Sequence, residues 1–153
     1  MKIKLLLFLS TPIFCFAQQP ITSYYSTDGA NYTVLNSDTP INQSNSGANV
    51  TWDFNQLTAI GSSTDTRLTP TVDEIVSYPN TTSVSKNVAT VQNVITTSLV
   101  YTKNVGNVVS VTAARGNNLD LNFKTDNATI GSFPMNYNYS FTDAVAGTYV
   151  YST

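Results

Sequence analysis

Residues 119–124 read Leu-Asp-Leu-Asn-Phe-Lys, so apolar and polar side chains alternate along this stretch. Successive side chains of a β-strand point to opposite faces of its sheet, and the alternation therefore predicts a strand with one buried and one solvated face. The same period of two recurs in residues 50–54, 107–114 and 137–142. These runs predict antiparallel sheets, because antiparallel strands commonly pack one face and leave the other in water.

Glycine and asparagine separate the alternating runs, and both residues tolerate the positive φ angles that tight turns require. The predicted turns are Asp28-Gly29, Ser46-Gly47, Ile60-Gly61, Tyr78-Pro79-Asn80, Asn104-Val105-Gly106-Asn107, Gly116-Asn117-Asn118 and Ala146-Gly147. The predicted strands lie near 22–26, 31–36, 48–54, 63–69, 72–78, 87–95, 97–103, 107–114, 118–124, 137–142 and 147–152. Turns spaced about ten residues apart are typical of a β-sandwich. We therefore predict an all-β fold, an antiparallel β-sandwich in which jelly-roll and immunoglobulin-like topologies both remain open.

The first 17 residues have the features of a secretory signal peptide. Lys2 and Lys4 give a positive start, an apolar stretch of about a dozen residues follows, and Cys15-Phe16-Ala17 offers a cleavage site after Ala17. Because a bilayer-spanning helix needs about 20 residues, we expect no transmembrane anchor in the mature chain. We predict a secreted or cell-surface protein in which residues 18–153 form a single β domain.

The single cysteine leaves a second processing route open. A lipoprotein signal peptide is cut directly before a cysteine that is then acylated, although Phe14 stands where such signals usually carry a small residue. Cleavage after Ala17 would instead leave a mature chain without cysteine, so disulfides could not contribute to its stability. The remaining length is sufficient for a fold held by a hydrophobic core alone.

The charge balance argues against several classes of partner. Lys2 and Lys4 leave with the signal peptide, so few basic residues face nine acidic ones. The remaining basic residues are Arg67, Lys86, Lys103, Arg115 and Lys124. Such a chain offers no basic stripe to neutralise phosphates, so we expect no nucleic-acid partner and no polybasic attachment to anionic lipid.

The inventory of reactive side chains is too small to suggest an enzyme. The sequence contains no histidine, which excludes serine–histidine and cysteine–histidine catalysis and histidine-bound zinc within this chain. Asp73-Glu74 is an adjacent acidic pair, but within a strand its carboxylates would face opposite sides of the sheet. Asp120 and Asp126 lack the oxygen-rich loop that calcium requires. We predict no catalytic residue, no metal site and no cofactor.

Exposed aromatic side chains are the remaining candidate binding residues. Trp52 alternates in phase with its apolar neighbours, which predicts a core position. Tyr24, Tyr25, Tyr149 and Tyr151 are the better candidates for exposure and for stacking against sugar rings. Packing within or against the sheet is the competing interpretation of these four tyrosines.

Two stretches carry a resemblance to a class of exported proteins. Residues 48–54 (Ala-Asn-Val-Thr-Trp-Asp-Phe) and residues 119–134 resemble the Asn/Thr-rich regions of proteins exported by the bacterial type IX secretion system. The resemblance implies a surface or secreted location and a C-terminal sorting domain, but no particular activity. That domain is not visible in this sequence, and residues 149–153 read as the middle of a strand. We therefore expect a β domain that is incomplete at its C-terminus, the N-terminal part of a longer protein.

These observations favour a non-catalytic structural or adhesive β domain of an exported bacterial protein. The alternative is a carbohydrate-binding module attached to an extracellular hydrolase that lies beyond Thr153. A small hydrolase complete within this chain is disfavoured by the few titratable groups. The expected partners are extracellular polysaccharide or cell-surface components, and the oligomeric state remains open.

Overall fold

The structure, a computed structural model, describes residues 19–40, 44, 51, 54 and 56–152. Its strands are β1 (Asn31–Ser37), β2 (Leu57–Leu68), β3 (Ser83–Val91), β4 (Val94–Val105), β5 (Val108–Gly116), β6 (Leu119–Asp126), β7 (Ala128–Ser132) and β8 (Ala146–Tyr151). One short helix, α1 (Val72–Ser77), joins β2 to β3. The predicted all-β class is therefore confirmed.

The described strands belong to one antiparallel sheet that follows the order of the chain. The order is β1-β2-β3-β4-β5-β6-β8, and β7 pairs with β5. Residues 113–116 of β5 pair with β6, whereas residues 108–111 pair with β7. β6 and β7 thus form one interrupted strand along β5. A division into two packed sheets stays a prediction.

The register defines two faces of this sheet, because directly paired residues of antiparallel strands carry their side chains on the same face. One cross-strand row comprises Leu68, Val84, Tyr101, Ala113, Asn122 and Thr148. The row beside it, on the opposite face, comprises Arg67, Ser85, Val100, Ala114, Leu121 and Tyr149. α1 lies on the first face, where the Asn122 amide donates to the Ser77 carbonyl at 3.1 Å. We call the first the helix face and the second the far face.

A small core lies between α1 and the helix face. Tyr78, Val84, Tyr101 and Ala113 are buried there, and Leu99 packs against them. These residues come from the end of α1 and from three neighbouring central strands. The core therefore fixes α1 on the middle of the sheet.

A β-bulge in β5 changes the alternation that the sequence predicts. Tyr101 pairs with Ala113 and Thr102 with Val111, so Thr112 is an extra residue in its strand. Its hydroxyl lies 2.7 Å from that of Thr81, which follows α1. All five residues from Val109 to Ala113 are buried. The expected division of this stretch into a buried and a wet face is wrong.

Several predicted strands have a different structure. The stretch 72–78 is mainly α1, and 22–26 and 137–142 contain no strand. The predicted strand 87–95 is interrupted by a turn at Gln92-Asn93, whose φ angles are 48° and 67°. Ile60-Gly61 and Ala146-Gly147 lie inside β2 and β8 rather than in turns.

Other predictions fall on parts of the chain that the structure does not describe. These are the signal peptide with its cleavage site, the turn at Ser46-Gly47, most of the strand near 48–54, and the core position of Trp52. Within the described residues, no helix has the length and apolar character needed to cross a bilayer.

Candidate functional site

Tyr149 and Tyr151 lie together on the outermost strand of the sheet. They pair with Leu121 and Leu119 of β6, so both rings lie on the far face. Their exposed fractions are 75% and 62%, and every residue of β8 is exposed. β8 carries no charged side chain. The edge therefore presents two aromatic rings beside leucine on a neutral strand.

Tyr24 and Tyr25 are half-buried and engaged with the sheet. Their ring centroids are 5.4 Å apart in an edge-on arrangement. The Tyr25 hydroxyl lies 3.0 Å from the Thr102 hydroxyl, and the Arg67 guanidinium carbon lies 4.0 Å from the Tyr25 ring centroid. Burial raises the pKa of the Tyr24 hydroxyl, with a further contribution from Tyr25. These contacts hold the pair in a packing role.

The structure does not bring the four predicted tyrosines into one site. Tyr25 contacts β4 through Thr102, whereas Tyr149 and Tyr151 belong to β8. β5 and β6 lie between those two strands. Only the pair on β8 has the exposure that ring stacking against a ligand requires.

A polar cluster that the sequence does not reveal lies beneath α1. The rings of Tyr78 and Tyr101 have centroids 4.5 Å apart. The Tyr101 hydroxyl donates to Glu74 Oε1 at 2.9 Å, and the Tyr78 hydroxyl donates to Asp120 Oδ2 at 2.7 Å. Arg115 Nε lies 3.5 Å from the same Asp120 oxygen. The cluster joins the helix to β4, β5 and β6.

The start of α1 positions Glu74 in this cluster. Thr71 is the N-cap, its hydroxyl accepts from the Glu74 backbone N–H, and its own backbone N–H donates to Glu74 Oε2 at 2.8 Å. This reciprocal arrangement is a capping box. The Thr71 backbone N–H holds the pKa of the Glu74 carboxyl below its ordinary value, and the Tyr101 hydroxyl lowers it further. Glu74 is therefore ionised at neutral pH.

The two buried phenols keep their protons. Burial raises the pKa of the Tyr78 hydroxyl well above its ordinary value of 10.0, and the hydrogen bond to Asp120 adds to the effect. Burial also raises the pKa of Tyr101, followed by its hydrogen bond to Glu74. At neutral pH the two phenols thus stay protonated and donate to carboxylate oxygens of Glu74 and Asp120. The pKa values of Glu74, Tyr78 and Tyr101 are all shifted away from neutrality, whereas an acid or base catalyst needs a pKa near the working pH.

An open cavity of about 500 Å³ adjoins the polar cluster on the helix face. Arg115 and Asp120 line it, together with Asn117 and Asn118 of the β5–β6 turn. Its apolar lining on this face is formed by Leu99 and Val150. The cavity combines hydrogen-bond donors and acceptors with an aliphatic surface.

Sequence reasoning missed this region because its contacts are long-range. Tyr78 and Asp120 are 42 residues apart, and the prediction that Asp73-Glu74 lies in a strand is wrong, since both residues belong to α1. A local signal is Thr71-x-x-Glu74, which has the spacing of a capping box. That motif indicates a helix start and would have placed Glu74 on α1.

Among the described residues, no three acidic or cysteine side chains lie close enough together to hold a metal ion. In comparisons with known proteins, no family model, no curated protein and no solved structure matches the chain.

Proposed function

We propose that this chain is a non-catalytic β module of an exported bacterial protein and that it acts by adhesion. The observation that carries the proposal is the exposed pair Tyr149 and Tyr151 on the neutral edge strand β8. Exposed aromatic rings that share one face of a strand can stack on a flat ligand, and each has a hydroxyl for a polar contact. The proposed partners are extracellular polysaccharide or cell-surface components.

The polar cluster supports the non-catalytic part of the proposal. Its carboxylates, Glu74 and Asp120, accept hydrogen bonds from Tyr101 and Tyr78 that fasten α1 to the sheet. Acid–base catalysis needs a group whose pKa lies near the working pH, whereas the pKa of Glu74 is lowered and those of the two tyrosines are raised. A structural role accounts for all of these contacts.

The alternative function is a carbohydrate-binding module that serves a hydrolase elsewhere in a longer protein. The cavity beside Arg115 and Asp120 favours this alternative, because it offers a mixed polar and aliphatic surface on the opposite side from Tyr149.

Adhesion can be measured with purified protein and insoluble probes: cellulose, chitin and bacterial peptidoglycan sacculi. We expect saturable binding to at least one probe and no release of soluble sugar. The double variant Tyr149→Ala/Tyr151→Ala should bind about tenfold more weakly, because it removes both stacking rings.

Tyr137→Ala is the matched control for this experiment. Tyr137 is 74% exposed, like Tyr149, but lies outside the strands. Its replacement should leave adhesion unchanged. Absence of binding to every probe, or an equal loss in the Tyr137 variant, would refute adhesion through β8.

Export is the second part of the proposal and has its own measurement. Expression of the full chain in a bacterium with a type IX system, followed by sequencing of the mature N-terminus, should yield a protein that begins at Gln18. A chain that begins at Cys15 and carries lipid would support the lipoprotein route instead. Retention of Met1 in the cytoplasm would contradict export altogether.

A further inference from the structure

The cavity on the helix face is a second candidate binding site, separate from the tyrosines of β8. It lies where the β5–β6 turn approaches the end of β8 and has a volume of about 500 Å³. Ligand-binding clefts commonly have volumes of about 300–1,000 Å³. Val150 lines it, whereas its neighbours Tyr149 and Tyr151 point to the far face. A ligand in the cavity would therefore not touch the two exposed rings.

The rim of the cavity is fixed by the backbone before any ligand arrives. Asn117 and Asn118 have φ angles of 47° and 66°, as a two-residue hairpin of the type I′ kind requires. The Ser152 backbone N–H donates to the Asn118 carbonyl at 2.9 Å, which ties the turn to the end of β8. The two asparagine amides are thus carried on a tight, anchored turn.

The charged pair of the cavity is also held in place. Asp120 Oδ2 accepts from the buried Tyr78 hydroxyl and lies 3.5 Å from Arg115 Nε. The side chains of Arg115 and Asp120 remain 51% and 38% exposed. Among the residues that the structure describes, none donates a hydrogen bond to Asp120 Oδ1. One carboxylate oxygen therefore stays available to a donor from outside.

The chemistry of the lining selects a neutral, hydroxyl-rich ligand. The charges of Arg115 and Asp120 cancel, so neither an anion nor a cation gains net attraction. Adjacent hydroxyls of a sugar can donate to a carboxylate and accept from guanidinium or amide groups. Leu99 and Val150 offer an aliphatic surface to the C–H side of a sugar ring.

We propose that this cavity is a saccharide-binding site, in which Asp120 accepts hydrogen bonds from sugar hydroxyls and Arg115 and Asn117 donate to them. The site deepens the alternative function, carbohydrate binding, and rests on it; it is independent of adhesion through β8, because it uses the opposite face of the sheet and different residues. It recognises a neutral oligosaccharide by hydrogen bonding rather than by aromatic stacking.

The test is an NMR titration of the isotope-labelled protein with neutral hexasaccharides of glucose, mannose, galactose, xylose and N-acetylglucosamine. We expect at least one of them to shift the side-chain amide signals of Asn117 and Asn118 and the Nε–H signal of Arg115 in a saturable manner. Asp120→Asn should weaken that binding about tenfold or more, because it removes a charged acceptor. The backbone spectrum of this variant shows whether its fold is retained.

A pair of turn variants separates ligand contact from structural damage. Asn117→Gly/Asn118→Gly removes both amides but retains the turn, since glycine readily adopts positive φ. We expect binding to fall about tenfold or more. Gln92→Gly/Asn93→Gly makes the same change in the β3–β4 turn, which has φ angles of 48° and 67° and does not line the cavity, and should bind as the unmodified protein does.

Three outcomes would overturn the saccharide site. They are the absence of shifts with every hexasaccharide, equal binding by the two turn variants, and binding that is lost only in Tyr149→Ala/Tyr151→Ala. The last result would move saccharide recognition to the far face, so the cavity proposal would fail while adhesion through β8 would stand. If the protein binds a hexasaccharide in the cavity but adheres to no insoluble probe, the saccharide site would stand and adhesion through β8 would fail.

Discussion

Tyr101 shows how one side chain connects the sheet to the helix. It is completely buried, and its ring lies against that of Tyr78. Its hydroxyl reaches Glu74 on α1 at 2.9 Å. A hydrogen bond to an ionised group contributes about 1.5–3 kcal/mol to stability, and exposure of the acceptor to water reduces this value. Glu74 is only half-buried, so the contribution lies at or below the lower end of that range.

Tyr101→Phe should lower the free energy of unfolding by about 1 kcal/mol, because the Glu74 carboxylate loses a donor while the packing of the ring is retained. Urea denaturation followed by circular dichroism measures the change. Tyr137→Phe is the control, since Tyr137 is 74% exposed and its hydroxyl makes no hydrogen bond among the described residues. If the two variants unfold at the same urea concentration, the hydroxyl of Tyr101 has no stabilising role.

For single residues, the alternation of apolar and polar side chains predicts which side chains share a face of a strand. Tyr149 and Tyr151 share a face because they are two residues apart in a strand, and that much follows from period two. The bond from Tyr78 to Asp120 does not follow, because it depends on how α1 folds back over β6. The pairing of Arg115 with Asp120 is local by contrast, because a two-residue hairpin at Asn117-Asn118 places these two residues directly opposite each other.

Helix α1 is an element whose local signals conflict. Val72, Ile75 and Val76 are β-branched and favour a strand by propensity, in agreement with the predicted strand at 72–78. The capping box at Thr71 and Glu74 instead satisfies backbone N–H groups at a helix start. The contacts of Tyr78 and Tyr101 beneath the helix then favour the helical conformation over the strand. Weak propensity is overridden here by a cap and by tertiary packing.

Thr71→Ala should cost about 1 kcal/mol of stability, because it removes the side-chain half of the capping box. Thr71→Ser keeps the hydroxyl and should restore most of the loss. Thermal or urea denaturation of the three proteins measures the difference. Thr69→Ala, which alters an exposed threonine in the loop before the helix, serves as the control. A similar cost for the alanine changes at both positions would argue against a specific cap.

The turns were easier to predict than the strands that they connect. Asn117-Asn118 and Gly106-Asn107 lie in turns as expected, because residues that tolerate positive φ were present. Gln92 has a positive φ of 48° without being a typical residue for that conformation, and the β3–β4 turn was therefore missed. Turn chemistry predicts a turn where suitable residues occur, but it does not exclude one elsewhere.

At the scale of the whole molecule, burial is concentrated in the middle of the sheet. The largest fully buried side chains, Val84, Tyr101, Thr102 and Thr112, lie on β3, β4 and β5, whereas every residue of β8 is exposed. The alternation of apolar and polar residues in the sequence predicted the all-β class, because it indicates strands with one buried and one exposed face. It could not predict strand order or the position of α1, since both depend on pairings between distant segments.

This distribution predicts a gradient of local stability across the sheet. Local opening requires less free energy where few apolar contacts are broken, so hydrogen-bonded amides of β8 should exchange with solvent at least about tenfold faster than those of β4. Hydrogen–deuterium exchange measured residue by residue by NMR, corrected for intrinsic rates, gives the comparison. β1, the other edge strand, is the internal reference, and its amides should exchange at rates similar to those of β8.

If the amides of β8 are instead protected as strongly as those of β4 while those of β1 are not, the outer edge of β8 must be covered in solution. Dilution of the protein would then distinguish the two sources of cover, because protection by a second copy weakens with dilution and protection within the chain does not.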